Sequence, residues 1–339
     1  MENVYKEING VTISIDYKVE LIGLLITLSD EKDNFPSFDF DENNDAYIKE
    51  LQREFGYLVN HPTVQKFFYL KDYYGLHYHN PIDLALSLDD NFEFKNESHF
   101  KFKDNEDIIN FCKELKLLSE EIDFKNFYLK HREIYLKWID DIMTTYQHFN
   151  IKDAIISYCG QEYLEKKFYT NLIPFETGGG YGVHLDGEAH NCFRAIKKTT
   201  DNQLFAFAND TICLPVSIHE FLHSIIDLVT AKYNIFNLET EYLVDKENPI
   251  SSYGNDYCMI NETIIRAMTT RIFYLLTGID NNIKRLNQDE EKGFKYVKTV
   301  YEKLLEYESN REKYPNIDSF YPEIADEIIK QIRETKIKR

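Results

Sequence analysis

The segment from Pro215 to Val229 constrains this chain more than any other. Ile218, Leu222, Ile225, Ile226 and Val229 recur at three- and four-residue intervals, the period of an α-helix with one buried side. Pro215 suits the first turn of such a helix, where a missing N–H leaves no bond unmade. The same helix carries His219-Glu220-Phe221-Leu222-His223. Residues i and i+4 lie one turn apart on one face, so the two imidazoles can converge on a single metal ion. Glu220 is rotated about 100° from His219, within reach of a water on that metal but aimed past it as a ligand. Two imidazole ligands and a carboxylate base are what zinc-dependent hydrolysis requires. Five such letters also arise by accident, so the surroundings decide.

Upstream, the chain reads as helical. Val11 to Ile15 alternates as a short strand, and Val19 to Leu28 is a buried helix. Ser29 to Asn44 is an acidic loop. From Asp45 an apolar stripe of Tyr47, Ile48, Leu51, Phe55, Leu58 and Val59 marks a helix, which His61-Pro62 interrupts. Helical patterns follow over Thr63–Tyr73, Pro81–Leu88, Asp104–Glu120, Phe124–Phe149 and Ile151–Cys159. The texture then changes. Asn171–Phe175, Gly178–Leu185, Cys192–Ile196 and Leu204–Ala208 are short apolar runs bounded by turn residues, which predict three or four antiparallel strands. The Gly-rich run either offers an edge along which a substrate peptide can lie or is a loop. Beyond the motif, Lys232–Pro249 reads as a linker or short helix. Asp256–Thr277 is a strongly apolar helix stopping at Gly278, and Gly293–Glu308 and Ile317–Arg333 are amphipathic helices. This pattern predicts a mostly helical α+β chain with a small mixed or antiparallel sheet and an active-site helix. A helical N-terminal region, 1–165, precedes a catalytic region, 166–339, unless the two form one continuous domain.

A zinc ion that keeps one position for water needs a third protein ligand. The pattern H-E-x-x-H-x-x-G-x-x-H is excluded, because Ile226 and Val229 occupy its Gly and third His positions. A downstream Glu is the other solution, and Glu262 stands among Met259, Ile260, Ile264, Ile265 and Met268. A carboxylate in a buried helix is costly unless paired or bound to metal. The competing reading is a surface ion pair with Arg266, four residues on. Glu239 and Glu241, in polar linker-like surroundings, are the fallback ligands. Tyr253 and Tyr257 are candidates to hydrogen-bond the oxyanion of a tetrahedral intermediate, although a chain with 25 Tyr uses many for packing. Arg266 suits that role too, or orients Glu262. Asp227, four residues past His223, either supports that ligand or sits at a solvated edge.

Composition removes some classes of function. The formal net charge is −19, a field that repels phosphate backbones and anionic lipid, so neither nucleic acid nor a membrane is expected as partner. Five scattered cysteines without a C-x-x-C indicate a reducing compartment. The first residues lack the basic and apolar regions of a secretory signal, so the expected location is cytoplasmic, or exported if a signal is missing from the sequence.

His219-Glu220-Phe221-Leu222-His223-Ser224 followed by Asn261-Glu262-x-x-x-Arg266-Ala267 resembles the gluzincin metallopeptidases. More closely, the chain is similar to a bacterial domain-of-unknown-function family of H-E-x-x-H peptidases. His61-Pro62 through Leu86 and Gly179-Gly180-Tyr181-Gly182 share that likeness, which spans residues 45 to 310. The resemblance implies a zincin-like core with one Zn²⁺ per chain held by His219, His223 and Glu262, and Glu220 as general base. The expected reaction is hydrolysis of a peptide bond in a peptide or protein substrate. The rival expectation is a non-catalytic, zinc-stabilised binding or scaffold protein that keeps the fold. Oligomeric state is left open.

Overall fold

Asn9-Gly10 closes the first element pair. Both residues have positive φ, 49° and 73°, the left-handed geometry that a two-residue hairpin turn demands and that Asn-Gly supplies at little strain. Val4–Ile8 (β1) and Val11–Ile15 (β2) are therefore antiparallel, with Ile8 opposite Val11. The computed structural model describes residues 3–28, 46–77, 79–177, 179–183, 185–195, 210–233 and 256–337; of 176, 177, 195, 210–212, 256, 257 and 335–337 it describes the backbone. The predicted strand at Leu204–Ala208 and linker at Lys232–Pro249 lie wholly or largely outside these residues.

Lys167–Thr177 (β3), Gly180–Val183 (β4) and Glu188–Ala195 (β5) complete a sheet of order β1-β2-β3-β5-β4. The sheet is mixed, within the mixed or antiparallel sheet expected, although its strands do not all pair antiparallel as the short apolar runs predicted. β3 runs parallel to both β2 and β5, while β4 pairs antiparallel with β5. Sequence neighbours favour hairpins, but β3 is flanked by β2, far upstream in the chain, and by β5, and β4 takes the outer edge.

The helices among the described residues are Tyr17–Thr27 (α1), Ala46–Phe55 (α2), Pro62–Tyr74 (α3), Asn80–Leu86 (α4), Glu106–Glu121 (α5), Phe124–Lys130 (α6), Arg132–His148 (α7), Ile151–Cys159 (α8), Asp210–Tyr233 (α9), Asp256–Thr277 (α10), Asn282–Glu291 (α11), Val297–Ser309 (α12) and Ile317–Ile337 (α13). The fold is α+β and mostly helical, as the periodicity predicted. None of the described helices is long and apolar enough to cross a membrane. The single helix expected over Phe124–Phe149 is two, parted at His131, whose ring bonds the Phe127 carbonyl at 2.8 Å. α9 begins earlier than expected, so Pro215 lies inside the helix rather than in its first turn.

The chain forms two compact units, residues 1–148 with 167–213 and residues 149–166 with 214–339. In the first, α7 covers β1 and β2, and α1 approaches β3. That approach depends on Gly23, since a Cβ there would meet the Phe175 ring. Asp16 caps α1 by accepting from the Lys18 and Val19 amides at 2.8 and 3.1 Å. α1 carries Glu20 into an aromatic core in which Tyr47 and Tyr135 both reach the same carboxylate oxygen. Trp138, the only tryptophan of the chain, lies edge-on to Tyr47 at 5.4 Å.

The second unit is built around α10, which packs against α8, α11 and α12. Arg271 of α10 makes a two-bond ion pair with Glu308 of α12, 2.8 and 2.5 Å. Tyr307 of α12 donates to the Tyr158 carbonyl of α8 at 2.7 Å. α9 is fastened to α13 by Tyr321 donating to Thr230 at 2.7 Å and by Lys232 pairing with Asp318 at 2.6 Å. Each fully buried Ile or Leu along these helices contributes about 1.5–3 kcal/mol. These contacts fix the rotation of α9 and α10 about their axes, and that rotation places the polar residues both carry.

Candidate metal centre

Ile218, Phe221, Leu222, Ile225 and Ile226 are fully buried, which turns His219 and His223 of α9 together toward α10. Their ring centroids lie 5.1 Å apart, with planes at 76°. One donor atom from each of His219, Glu220 and His223 falls within 4.8 Å of the others, a grouping able to hold a metal ion. α10 brings Glu262 to the same point: its Oε1 is 3.2 Å from His223 Nε2 and its Oε2 3.4 Å from His219 Nε2. Two ligand atoms on a tetrahedral zinc stand about 3.3 Å apart, given metal–ligand distances near 2.05 Å. Both imidazole–carboxylate distances match that spacing. Among the described residues, Glu262 Oε2 is also buried without a hydrogen-bond partner. Its neighbours are His219 at 3.4 Å and Arg266 Nη2 at 3.2 Å. That oxygen keeps a lone pair for a cation, and the residues fit the group.

The surroundings hold Glu262 and His223 in opposite charge states. Burial would raise the Glu262 pKa, but His219 and His223 outweigh it and keep the carboxyl well below the usual range. Burial would lower the His223 pKa, but the carboxylates of Asp227 and Glu262 outweigh it and hold it well above the ordinary value. An ionised carboxylate facing imidazoles is the arrangement a divalent cation enters by displacing ring protons.

Further residues support His223 and Glu262. Asp227 lies 3.2 and 3.3 Å from His223 Nδ1 through its two oxygens. Asn261 Nδ2 donates to Asp227 Oδ1 at 3.0 Å. Arg266 pairs with Glu262 at 3.2 Å and with Asp289 of α11 at 3.0 Å, its guanidinium 4.2 Å over the Phe294 ring. Glu262 is thus both convergent with the histidines and paired with Arg266. The two readings of that residue are compatible, with the pair buried rather than at the surface.

The sequence candidates divide accordingly. His219, Glu220, His223 and Glu262 are brought together. Tyr257 lies in the first turn of α10 with its side chain outside the described atoms; Tyr253, Glu239 and Glu241 are outside the described residues. His190 is buried in the sheet, where Glu188 accepts from Nε2 at 2.7 Å and Asn171 meets Nδ1 at 3.0 Å. Three supporting residues were undervalued or missed. Asp227 carried a signal in its i+4 offset from His223, and Asn261 in its place beside Glu262. Asp289 carried none, because only the docking of α11 brings it to Arg266.

Residues 97–327 match the model of a domain of unknown function, DUF4932. That match covers most of the chain and includes every residue of the cluster. No curated protein and no solved structure matches the chain.

Proposed function

The chain belongs to the DUF4932 family, and from the cluster on α9 and α10 we propose that this member is a gluzincin-like zinc metallopeptidase. The observation that carries the proposal is the approach of the Glu262 carboxylate to His223 Nε2 at 3.2 Å and to His219 Nε2 at 3.4 Å, with Glu220 grouped with both histidines. Two imidazoles and one carboxylate form a donor set of catalytic zinc sites. When bound, zinc would lower the pKa of water toward ~7 and polarise the scissile carbonyl.

The remaining chemistry belongs to the chain's own groups. Glu220 follows the first ligand on α9 and is itself buried, so its carboxylate is shielded from bulk water. It accepts the proton of the attacking water and returns it to the nitrogen of the leaving amine. Glu262, held by Arg266 and Asp289, keeps its orientation while charge moves nearby. Tyr253 or Tyr257 donates to the developing oxyanion.

Elemental analysis of purified protein is expected to find one zinc per chain, lost in His219→Ala and Glu262→Ala. On a fluorogenic peptide library, Glu220→Gln is expected to keep the zinc and lose roughly 10²–10⁴-fold in turnover. Wild-type protein without zinc would remove the metal from the proposal, and an active Glu220→Gln would remove the base.

A further inference from the structure

We infer that Asp227 and Asn261 act as a positioning relay that sets the orientation and tautomer of His223 and ties it to the helix bearing Glu262. The inference rests on the metal centre proposed above. His223 Nδ1 stands almost equally far from both Asp227 oxygens, 3.2 and 3.3 Å. A carboxylate only accepts, so Nδ1 keeps its proton on Asp227, and Nε2, which faces Glu262, is the nitrogen left to bind a metal in exchange for its own proton. The offset from His223 to Asp227 is one helical turn, so α9 supplies ligand and support together.

Asn261 extends the support across to α10. It is 4% exposed, and its amide donates to Asp227 Oδ1 at 3.0 Å. Facing a carboxylate, that atom has to be the nitrogen. Among the described residues, the choice leaves Asn261 Oδ1 buried without a hydrogen-bond partner. A stranded oxygen adds nothing to stability, so what this residue contributes is the bond it donates. Because Asn261 immediately precedes Glu262, the path His223–Asp227–Asn261–Glu262 joins two ligands from two helices without passing through the metal. Arg266 and Asp289 brace Glu262 from the other side. Asp227 thus has an amide fixing it, and Glu262 a guanidinium.

Metal-free wild-type protein and the variants Asp227→Ala, Asp227→Asn, Asn261→Ala and the Asp227→Ala/Asn261→Ala double would be titrated with zinc against a chromophoric chelator. Circular dichroism of each metal-free variant serves as the folding control, and the near-isosteric Asp227→Asn guards against a folding failure in the alanine variant. Asp227→Ala is expected to weaken zinc binding about 10–100-fold. Asp227→Asn, which keeps an acceptor, should lose less, and Asn261→Ala less than Asp227→Ala. The double variant should bind as Asp227→Ala does, because Asn261 acts only through Asp227. Unchanged affinity in Asp227→Ala, or effects of the two residues that multiply, would overturn the relay while leaving the metal centre intact. Wild-type protein that takes up no zinc would overturn the centre itself, and the relay with it.

Discussion

In the first unit a buried glutamate meets two phenols; in the second, a buried glutamate meets two imidazoles and a guanidinium. Glu20 and Glu262 both ride helices rich in aliphatic residues, and both are removed from water, at 1% and 8% exposure. Around Glu20, burial pushes the pKa up to about 8 despite hydrogen bonds from Tyr47 and Tyr135, which favour the ionised form. Phenols donate but carry no charge, so they do not repay the desolvation of an anion. Around Glu262, cationic neighbours outweigh the same desolvation and the carboxylate stays ionised. One interior position holds a neutral acid, and the other holds an anion with spare coordination. Burial alone does not decide whether a glutamate is ionised; the charge of its neighbours does.

Exchanging each glutamate for glutamine tests that contrast. The largest expected effect is on zinc. Glu262→Gln should take stoichiometry from one zinc per chain to none by elemental analysis, while Glu20→Gln keeps it. Zinc retained in Glu262→Gln would place the third ligand elsewhere.

The next effect is on pH dependence. A carboxyl whose folded pKa is raised supports folding fully below its unfolded value near 4.5 and loses that support as pH rises through about 8. Urea unfolding followed by Trp138, which lies beside Tyr47 and Tyr135, should therefore show the first unit losing on the order of 4 kcal/mol across that window. Glu20→Gln should flatten the loss and be the more stable protein above pH 8. Glu262 has the opposite sign. Its depressed pKa gives stability that is present above 4.5 and lost as pH falls further, so the metal-free second unit should weaken in acid. A Trp138 transition independent of pH would show Glu20 ionised.

The smallest effect is expected at Tyr135. Its hydroxyl bonds Glu20 at 3.3 Å and Tyr47 at 2.7 Å, and Tyr135→Phe should cost about 1 kcal/mol at neutral pH. No change would mean that Tyr47 satisfies the acid alone.

Much of the helical half of this picture was legible beforehand. Asp256–Thr277 was read with the limits it has, because a long apolar period followed by glycine leaves little freedom. The H-E-x-x-H offset put His219 and His223 on one face for the same geometric reason. β1 was missed although Asn9-Gly10 announces its turn, since Val4–Ile8 alternates only weakly. The parallel pairing of β3 with β2 was beyond reach, as strand neighbours far apart in sequence leave no local trace. Glu20 was passed over too, inside a segment read simply as a buried helix.

What the sequence determined by itself was periodicity: which stretches coil, which side of each is apolar, and that two histidines share a turn with a glutamate between them. These follow from the 3.6-residue repeat and from local sterics, which act within a few residues. The sequence offered Glu262 with Glu239 and Glu241 as alternatives; that Glu262 meets those histidines was decided by tertiary structure. The docking of α9 against α10 selects Glu262 and seats Asn261 on Asp227, and the docking of α11 delivers Asp289 to Arg266. Charge state was decided there as well. Desolvation and Coulomb interaction depend on distance through space, and a chain read residue by residue does not contain that distance.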